Sequence, residues 1–145
     1  MPGRIDHLFL KPDHGSPMRE VAEALAVEGK GLEGDASFGR ATRQVLMMEA
    51  ETLERFGLSP GTARENLLVR GLPLKSLPLG GRIAAGETLL EITGDCTPCS
   101  FMDDLRPGLQ EAIRGERGVL ARVVTGGRIR VGDPVELSGA SEERR

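Results

Sequence analysis

The chain has two cysteines, Cys96 and Cys99, and both lie in one stretch, Asp95-Cys96-Thr97-Pro98-Cys99-Ser100. A thiolate is a nucleophile, a redox group and a soft metal ligand. Leu89 to Thr93 in front of it reads as an apolar strand, Gly94-Asp95 as a tight turn, and Ser100 to Leu105 as a short helical turn. A thiol placed where a strand stops and a helix starts feels the positive helix end, which favours the thiolate. The Cys-x-x-Cys spacing fits a metal knuckle or a redox pair. As a zinc site it is incomplete, because zinc takes four ligands, no second cysteine pair exists, and His7 and His14 lie far upstream. A thioredoxin-like pair would be expected early in the chain, in a strand-helix-strand context, whereas this one comes late. The remaining chemistry is one cysteine acting alone as a metal ligand or sulfur acceptor. Cys99, after Pro98 and nearer the helical turn, is the better placed, and Cys96 is a second thiol or a packing residue. The structural alternative for both is a small buried hydrophobe.

Charged and glycine-rich segments supply the second kind of candidate. Arg122 interrupts the apolar run Val119-Leu120-Ala121-Arg122-Val123-Val124. A buried cation needs a partner, either a carboxylate such as Asp35 or Asp95 or an anion in a cleft. Arg64 with Asn66, and Arg43 with Gln44, are polar pairs placed just before strands. Gly29, Gly31 and Gly34 make the loop ending at Asp35 a place where backbone N–H groups can approach an anion, or simply a loop that needs positive φ. No Ser-His-Asp series, phosphate-binding loop or dinucleotide fingerprint is present. Glu49 and Glu51 open a helix and read as dipole partners.

The elements that must position these groups are short. Strands are expected at Ile5 to Leu10, Gln44 to Met48, Leu67 to Val69 and Gly118 to Thr125, with Met18 to Val27 open between strand and helix. Helices are expected at Glu49 to Phe56, with Gly57 as its stop, over Thr62 to Asn66 behind a Ser59-Pro60 start, and over Leu109 to Arg114. Gly80 to Gly94 and Gly126 to Gly139 echo each other as glycine turn, strand, glycine turn, strand, and both read as hairpins of a curved sheet. Strands dominate without regular strand-helix alternation, so the expected fold class is a mainly β, barrel-like domain over residues 1–137 with a few short inserted helices. Residues 138–145 read as a polar tail, expected to be disordered.

The length of 145 residues suits one domain, and 39% hydrophobic with 28% charged residues suits a packed globular core. Four Phe, no Trp and no Tyr leave no aromatic platform for bases, and a net charge of -3 gives no long-range attraction to nucleic acid or an anionic membrane. Only Lys11, Lys30 and Lys75 are lysines among 19 cationic residues. The arginine excess reflects genome composition or a use for guanidinium forks on phosphate and carboxylate. No apolar run approaches a membrane span and the N-terminus has no signal-peptide pattern, so a cytoplasmic protein with reduced thiols is expected.

Taken in order, Gly31-Leu32-Glu33-Gly34-Asp35, Arg43-Gln44-Val45, Arg64-Glu65-Asn66-Leu67, Cys96-Thr97-Pro98-Cys99, Gly118 to Val123, and Gly126-Gly127 with Val131-Gly132-Asp133 resemble the MOSC domain family. That family is named for the C-terminal domain of molybdenum cofactor sulfurase, and the resemblance is to its small stand-alone members. It implies a β-rich barrel and a role with the molybdenum cofactor, a phosphate-bearing pterin dithiolene. It also implies that Cys99 carries sulfur or ligates molybdenum, with Arg64, Asn66, Arg122, Asp35 and Arg43 as candidates for holding the cofactor. Where many small members continue the Gly-Asp motif with histidine, this chain has Asp35-Ala36-Ser37-Phe38, so the loop supplies no such histidine. Sulfur transfer through a Cys99 persulfide and molybdenum-dependent reduction of an N-hydroxylated compound both fit, with a sulfur donor or reductase as partner. The sequence does not choose between carrier and enzyme. The alternatives are a thiol-disulfide exchange protein using Cys96 and Cys99 together, and a non-enzymatic partner-binding module.

Overall fold

The computed structural model describes residues 2–13, 15–95, 101–114 and 118–138. Seven strands close a mixed barrel: β1 (Gly3–Leu10), β5 (Val45–Glu49), β6 (Leu67–Arg70), β7 (Arg82–Ala85), β8 (Thr88–Asp95), β9 (Val119–Thr125) and β11 (Pro134–Leu137). Round the barrel the order is β11-β7-β8-β9-β5-β6-β1, and β11 pairs with β1 to shut it. All pairs are antiparallel except β5 with β6, which α1 (Ala50–Arg55) connects as a parallel crossover. β2 (Arg19–Glu20) lies on the far edge of β1. β3 (Glu23–Val27), β4 (Gly31–Leu32) and β10 (Gly127–Arg130) form a three-stranded sheet. Closure removes the exposed edges that short strands would otherwise leave.

Side chains alternate between two cores. Val45 and Met47 of β5, Leu67 and Val69 of β6, and Val119, Ala121 and Val123 of β9 point into the barrel, where Ala24, Ala26, Leu32 and Ile129 of the small sheet join them. The opposite faces of the same strands carry Leu46, Met48, Leu68 and Leu120. These are covered by α1, by α2 (Phe101–Leu105) through Met102, and by α3 (Leu109–Ala112) through Leu109. Burial on both faces explains why β5 is an unbroken apolar run rather than an alternating one. β1 alternates weakly for a different reason. Its pairing with β6 shifts register between Ile5 and His7, so Ile5 and Leu8 both face inward although three residues apart.

Two expectations change, and one open reading is settled. Met18 to Val27 holds two strands, β2 and β3, with Ala24 and Ala26 facing inward. The helix expected over Thr62 to Asn66 is a run of tight turns instead. Thr62 N–H donates to Ser59 C=O and Arg64 N–H to Gly61 C=O, while Gly61 and Arg64 take φ of 88° and 63°. A segment this short does not repay helix nucleation. In the sequence echo, the first unit is a hairpin, β7 with β8, but the second divides: β10 joins β3 and β11 joins β7. The tail expectation falls largely on residues 139–145, outside the described residues.

Candidate functional site

Three of the predicted residues meet where β1 ends and β6 begins. The Asp35 carboxylate is buried and accepts from Lys11 N–H at 2.6 Å, Ser37 N–H at 3.0 Å and the Asn66 side-chain amide at 3.0 Å. Asn66 also donates to Phe9 C=O and accepts from Leu46 N–H. Asp35 and Asn66 together tie β1, β5, β6 and the loop before residue 40 to one another. Their polar atoms face the backbone, as the rule that buried polar groups find partners requires. Two residues before Asn66, Arg64 sits in the left-handed region that side chains seldom adopt. Its guanidinium donates to Ser16 C=O at 2.7 Å and Asp13 C=O at 3.0 Å, clamping the loop between β1 and β2.

That loop and the 59–64 turns enclose a cleft of about 420 Å³, with Phe9, Ser16, Met18, Gly61 and Arg64 along it and Leu105 of α2 at its rim. Asp13 shapes the loop. Its carboxylate accepts from Gly15 N–H, Ser16 N–H and Ser16 Oγ, and these bonds, Gly15 foremost, hold its pKa below the ordinary aspartate value, with the Arg64 charge adding a smaller push. Gly61 lies so close to the Phe9 ring that a Cβ there would come within 3.0 Å of it, which explains glycine at that turn.

Of the other predicted cations, Arg122 lies on the outer face of β9 and Arg43 just before β5. Arg122 pairs with Glu91 directly across the strands at 2.7 Å, and Arg82 approaches the same carboxylate at 3.6 Å. The partner of Arg122 is therefore Glu91, not Asp35 or Asp95, and the arginine keeps 39% of its side chain exposed. Arg43 is exposed at the entry to β5. Its neighbour Thr42 accepts a hydrogen bond from Thr93 Oγ1, which brings this entry beside the end of β8. Gln44 is buried, donating to the carbonyls of Gly29 and Arg40 and accepting from Val123 N–H. The glycine loop is engaged in the same way. Gly29 N–H donates to Val123 C=O, Lys30 N–H to Val27 C=O and Glu33 N–H to Leu25 C=O, so these amides serve the fold rather than an anion.

Cys96, Cys99 and His14 lie outside the described residues. The chain bearing both cysteines links β8, beside the Arg122 and Arg43 group, to α2, whose Leu105 lines the cleft with Arg64. No cluster of three or more potential metal ligands occurs among the described residues. His7 is engaged with Glu20 at 2.6 Å and stacked on Phe9. The sequence reading missed Phe9, Glu91 and Glu65. Glu91 faces outward on β8, but its place opposite Arg122 follows only from the β8–β9 register. Glu65, wholly buried, accepts from Gly61 N–H and stands inside the Arg64-Glu65-Asn66-Leu67 motif.

A closed mixed barrel with three short helices outside it, and a cleft at the join of barrel and helices, defines the class of the described residues. The family model of the MOSC domain matches residues 33–136, and the chain belongs to that family. Solved structures share the fold. The YuaD protein of Bacillus subtilis superposes with a TM-score of 0.82 at 20% identity, covering 94% of this chain and 96% of that one. YiiM of Geobacillus stearothermophilus gives 0.73 at 22% identity, covering 94% and 75%. YiiM of Escherichia coli gives 0.70 at 22%, covering 94% and 70%. No curated protein sequence matches the chain. Among the described residues no helix is long and apolar enough to cross a membrane.

The donor set fits the cofactor that the family name implies in two respects. Cysteine sulfur is a soft ligand suited to molybdenum rather than to hard cations. Arg43 is exposed beside the end of β8, the strand that enters the cysteine segment, while the half-buried Arg122 is held by Glu91, and guanidinium forks suit phosphate.

Proposed function

We propose that this protein binds the molybdenum cofactor, or a closely related sulfur- or metal-bearing ligand, through Cys99. The observation that carries the reading is the family match over residues 33–136, which includes the whole cysteine segment and the arginine motifs on both sides of it. Cys99 holds the metal or the transferable sulfur. Arg122 and Arg43 receive the anionic tail, with Glu91 orienting Arg122. Arg64, Asp35 and Asn66 shape the neighbouring wall, since the bonds described above commit them to the backbone. The bound cofactor would supply two-electron chemistry for reducing an N-hydroxylated compound; without a metal, the same thiol is the acceptor and donor in sulfur transfer. Small cytoplasmic partners, a reductase or a sulfur donor, complete either cycle.

The test is metal and pterin content of protein made in a cofactor-competent host. Wild type is expected to retain molybdenum and pterin, and Cys99→Ser to lose the metal. Equal molybdenum in both proteins removes Cys99 as the ligand.

A further inference from the structure

The cleft between the β1–β2 loop and the 59–64 turns is walled by apolar surface from Phe9, Pro17, Met18, Pro60 and Leu105, and Arg64 is the one charged residue among the described residues that line it. Most other donors of the lining are spent within the fold. Gly15 N–H, Ser16 N–H and Ser16 Oγ donate to the Asp13 carboxylate, Gly61 N–H donates to Glu65, and Thr62 Oγ1 donates to Ser59 C=O. The two hydroxyls therefore offer the cleft lone pairs and no proton. Arg64 differs. A guanidinium carries five N–H donors, of which one on Nη1 goes to Ser16 C=O and one on Nη2 to Asp13 C=O. Three remain, on Nε and the two Nη atoms. Both acceptors are neutral, whereas Arg70, Arg122 and Arg128 answer to carboxylates. The backbone adds a second observation. Elsewhere among the described residues positive φ is left to glycine, as at Gly61 in the same turns, yet Arg64 holds a φ of 63°. Glycine would adopt that conformation without the steric cost. What arginine adds there is the clamp on the loop and the three spare donors.

We infer that this cleft binds a small carboxylic acid as its carboxylate, with the carboxylate on Arg64 and an apolar body along Phe9, Met18 and Leu105. An anion carried against apolar walls loses hydration, and only a well-placed cation offsets that loss. Arg64, held by the two loop carbonyls, is that cation. Donor count selects carboxylate over phosphate. One guanidinium with three free N–H groups presents at most one fork, which matches the two oxygens of a carboxylate. A phosphate group brings three acceptor oxygens and close to two charges, and Ser16 and Thr62 would meet them with lone pairs. The volume of about 420 Å³ is in the range of small-molecule pockets. Met18, unbranched and adaptable, lets the wall follow apolar bodies of different shape. The inference goes beyond the cofactor reading. It assigns another guest to a lining that includes neither Arg43 nor Arg122, and it gives Arg64 a role besides holding the wall.

The test is isothermal titration calorimetry of the full chain at neutral pH with three ligands that share one alkyl chain: octanoate, octanamide and octyl phosphate. Octanoate is expected to bind at least about tenfold more tightly than either of the others, the difference one charge-assisted contact makes. Glycine suits the backbone at position 64, so Arg64→Gly should fold, and it is expected to bring octanoate within about twofold of octanamide. That variant also releases the loop clamp, so a second one keeps the clamp intact. Leu105 is at the rim and 37% exposed. Leu105→Glu sets a like charge there and should weaken octanoate about fivefold or more while changing octanamide by less than about twofold. Leu137→Glu adds the same charge outside the lining, at an exposed position on β11, which pairs with the start of β1 rather than with its Phe9 end, and should leave both ligands unchanged. Octanamide or octyl phosphate binding as tightly as octanoate, no binding of octanoate at millimolar concentration, an octanoate preference that survives Arg64→Gly, or equal effects of the two glutamate variants would each overturn the inference. Molybdenum retention by Cys99→Ser enters none of these readings, so the two proposals fail separately.

Discussion

Removing the Asn66 side chain with Asn66→Ala should damage the protein far more than its size implies. The side chain is 3% exposed and makes three bonds: its Oδ1 accepts from Leu46 N–H at 2.9 Å, and its Nδ2 donates to Phe9 C=O at 3.1 Å and to Asp35 Oδ1 at 3.0 Å. The two bonds to backbone are worth about 1 kcal/mol each and the one to a carboxylate about 1.5–3, and the orphaned partners stay buried, so a loss of roughly 3–5 kcal/mol is expected. A domain of this size has only about 5–15 kcal/mol to lose. Equilibrium unfolding in urea reads the change as a shifted midpoint at constant slope. Asn66→Asp sharpens the test. It keeps the acceptor for Leu46 but sets a second carboxylate against Asp35, and one of two such groups takes a proton. The carboxyl pKa of the folded variant is thereby raised above the unfolded value of about 3.9. Between those two values the native state binds more protons than the unfolded state. The variant's stability therefore falls, relative to wild type, as pH rises from about 4 through the raised folded pKa. A cost below about 1 kcal/mol for Asn66→Ala, or an Asn66→Asp deficit that does not change with pH, refutes the reasoning.

Two further outcomes are expected. Asp13, its pKa lowered chiefly by Gly15 N–H, contributes loop stability that is present above the unfolded aspartate value and lost as pH falls through the folded one. The Gly15 and Ser16 amide signals in NMR should titrate with a midpoint below about 3.9, and a midpoint at or above it contradicts the bonding scheme. Gly118→Ala should cost roughly 1–3 kcal/mol in denaturant unfolding, because a Cβ there would lie 2.5 Å from Met47 C=O at a backbone φ of 132°. An unchanged midpoint would show that β9 enters the barrel less tightly than the structure has it.

How much of this was legible in the residues depends on how far apart the partners stand. The mainly β architecture was readable because strand periodicity and glycine turns are local, and the unbroken apolar run of β5 was readable as a strand even though its two buried faces were not. Arg122 advertised a need for a partner, but Glu91 lies 31 residues away and became visible only when β8 and β9 paired in register. The turn at 59–64 carries helix-start chemistry in Ser59-Pro60, and what defeats the helix is tertiary: Glu65 takes Gly61 N–H, Arg64 reaches back 48 residues to Ser16, and a positive φ at Arg64 follows. The same distinction applies to the site. Asp35, Asn66, Gln44 and Arg64 have the side-chain types of ligand-binding groups, and their places in an ordered motif gave them that expectation. In the fold their atoms meet Lys11, Leu46, Val123 and Ser16 backbone groups, each 20 or more residues distant. A polar side chain in a barrel this small has many unpaired backbone groups within reach wherever strands end, and satisfying one of them competes directly with holding a ligand. Residue type therefore states what an atom can bond, while the topology decides whether the partner is the chain itself or a guest. By that criterion Arg122 answers first to Glu91, and Arg43, exposed at the entry to β5, is the better placed of the two to meet a guest.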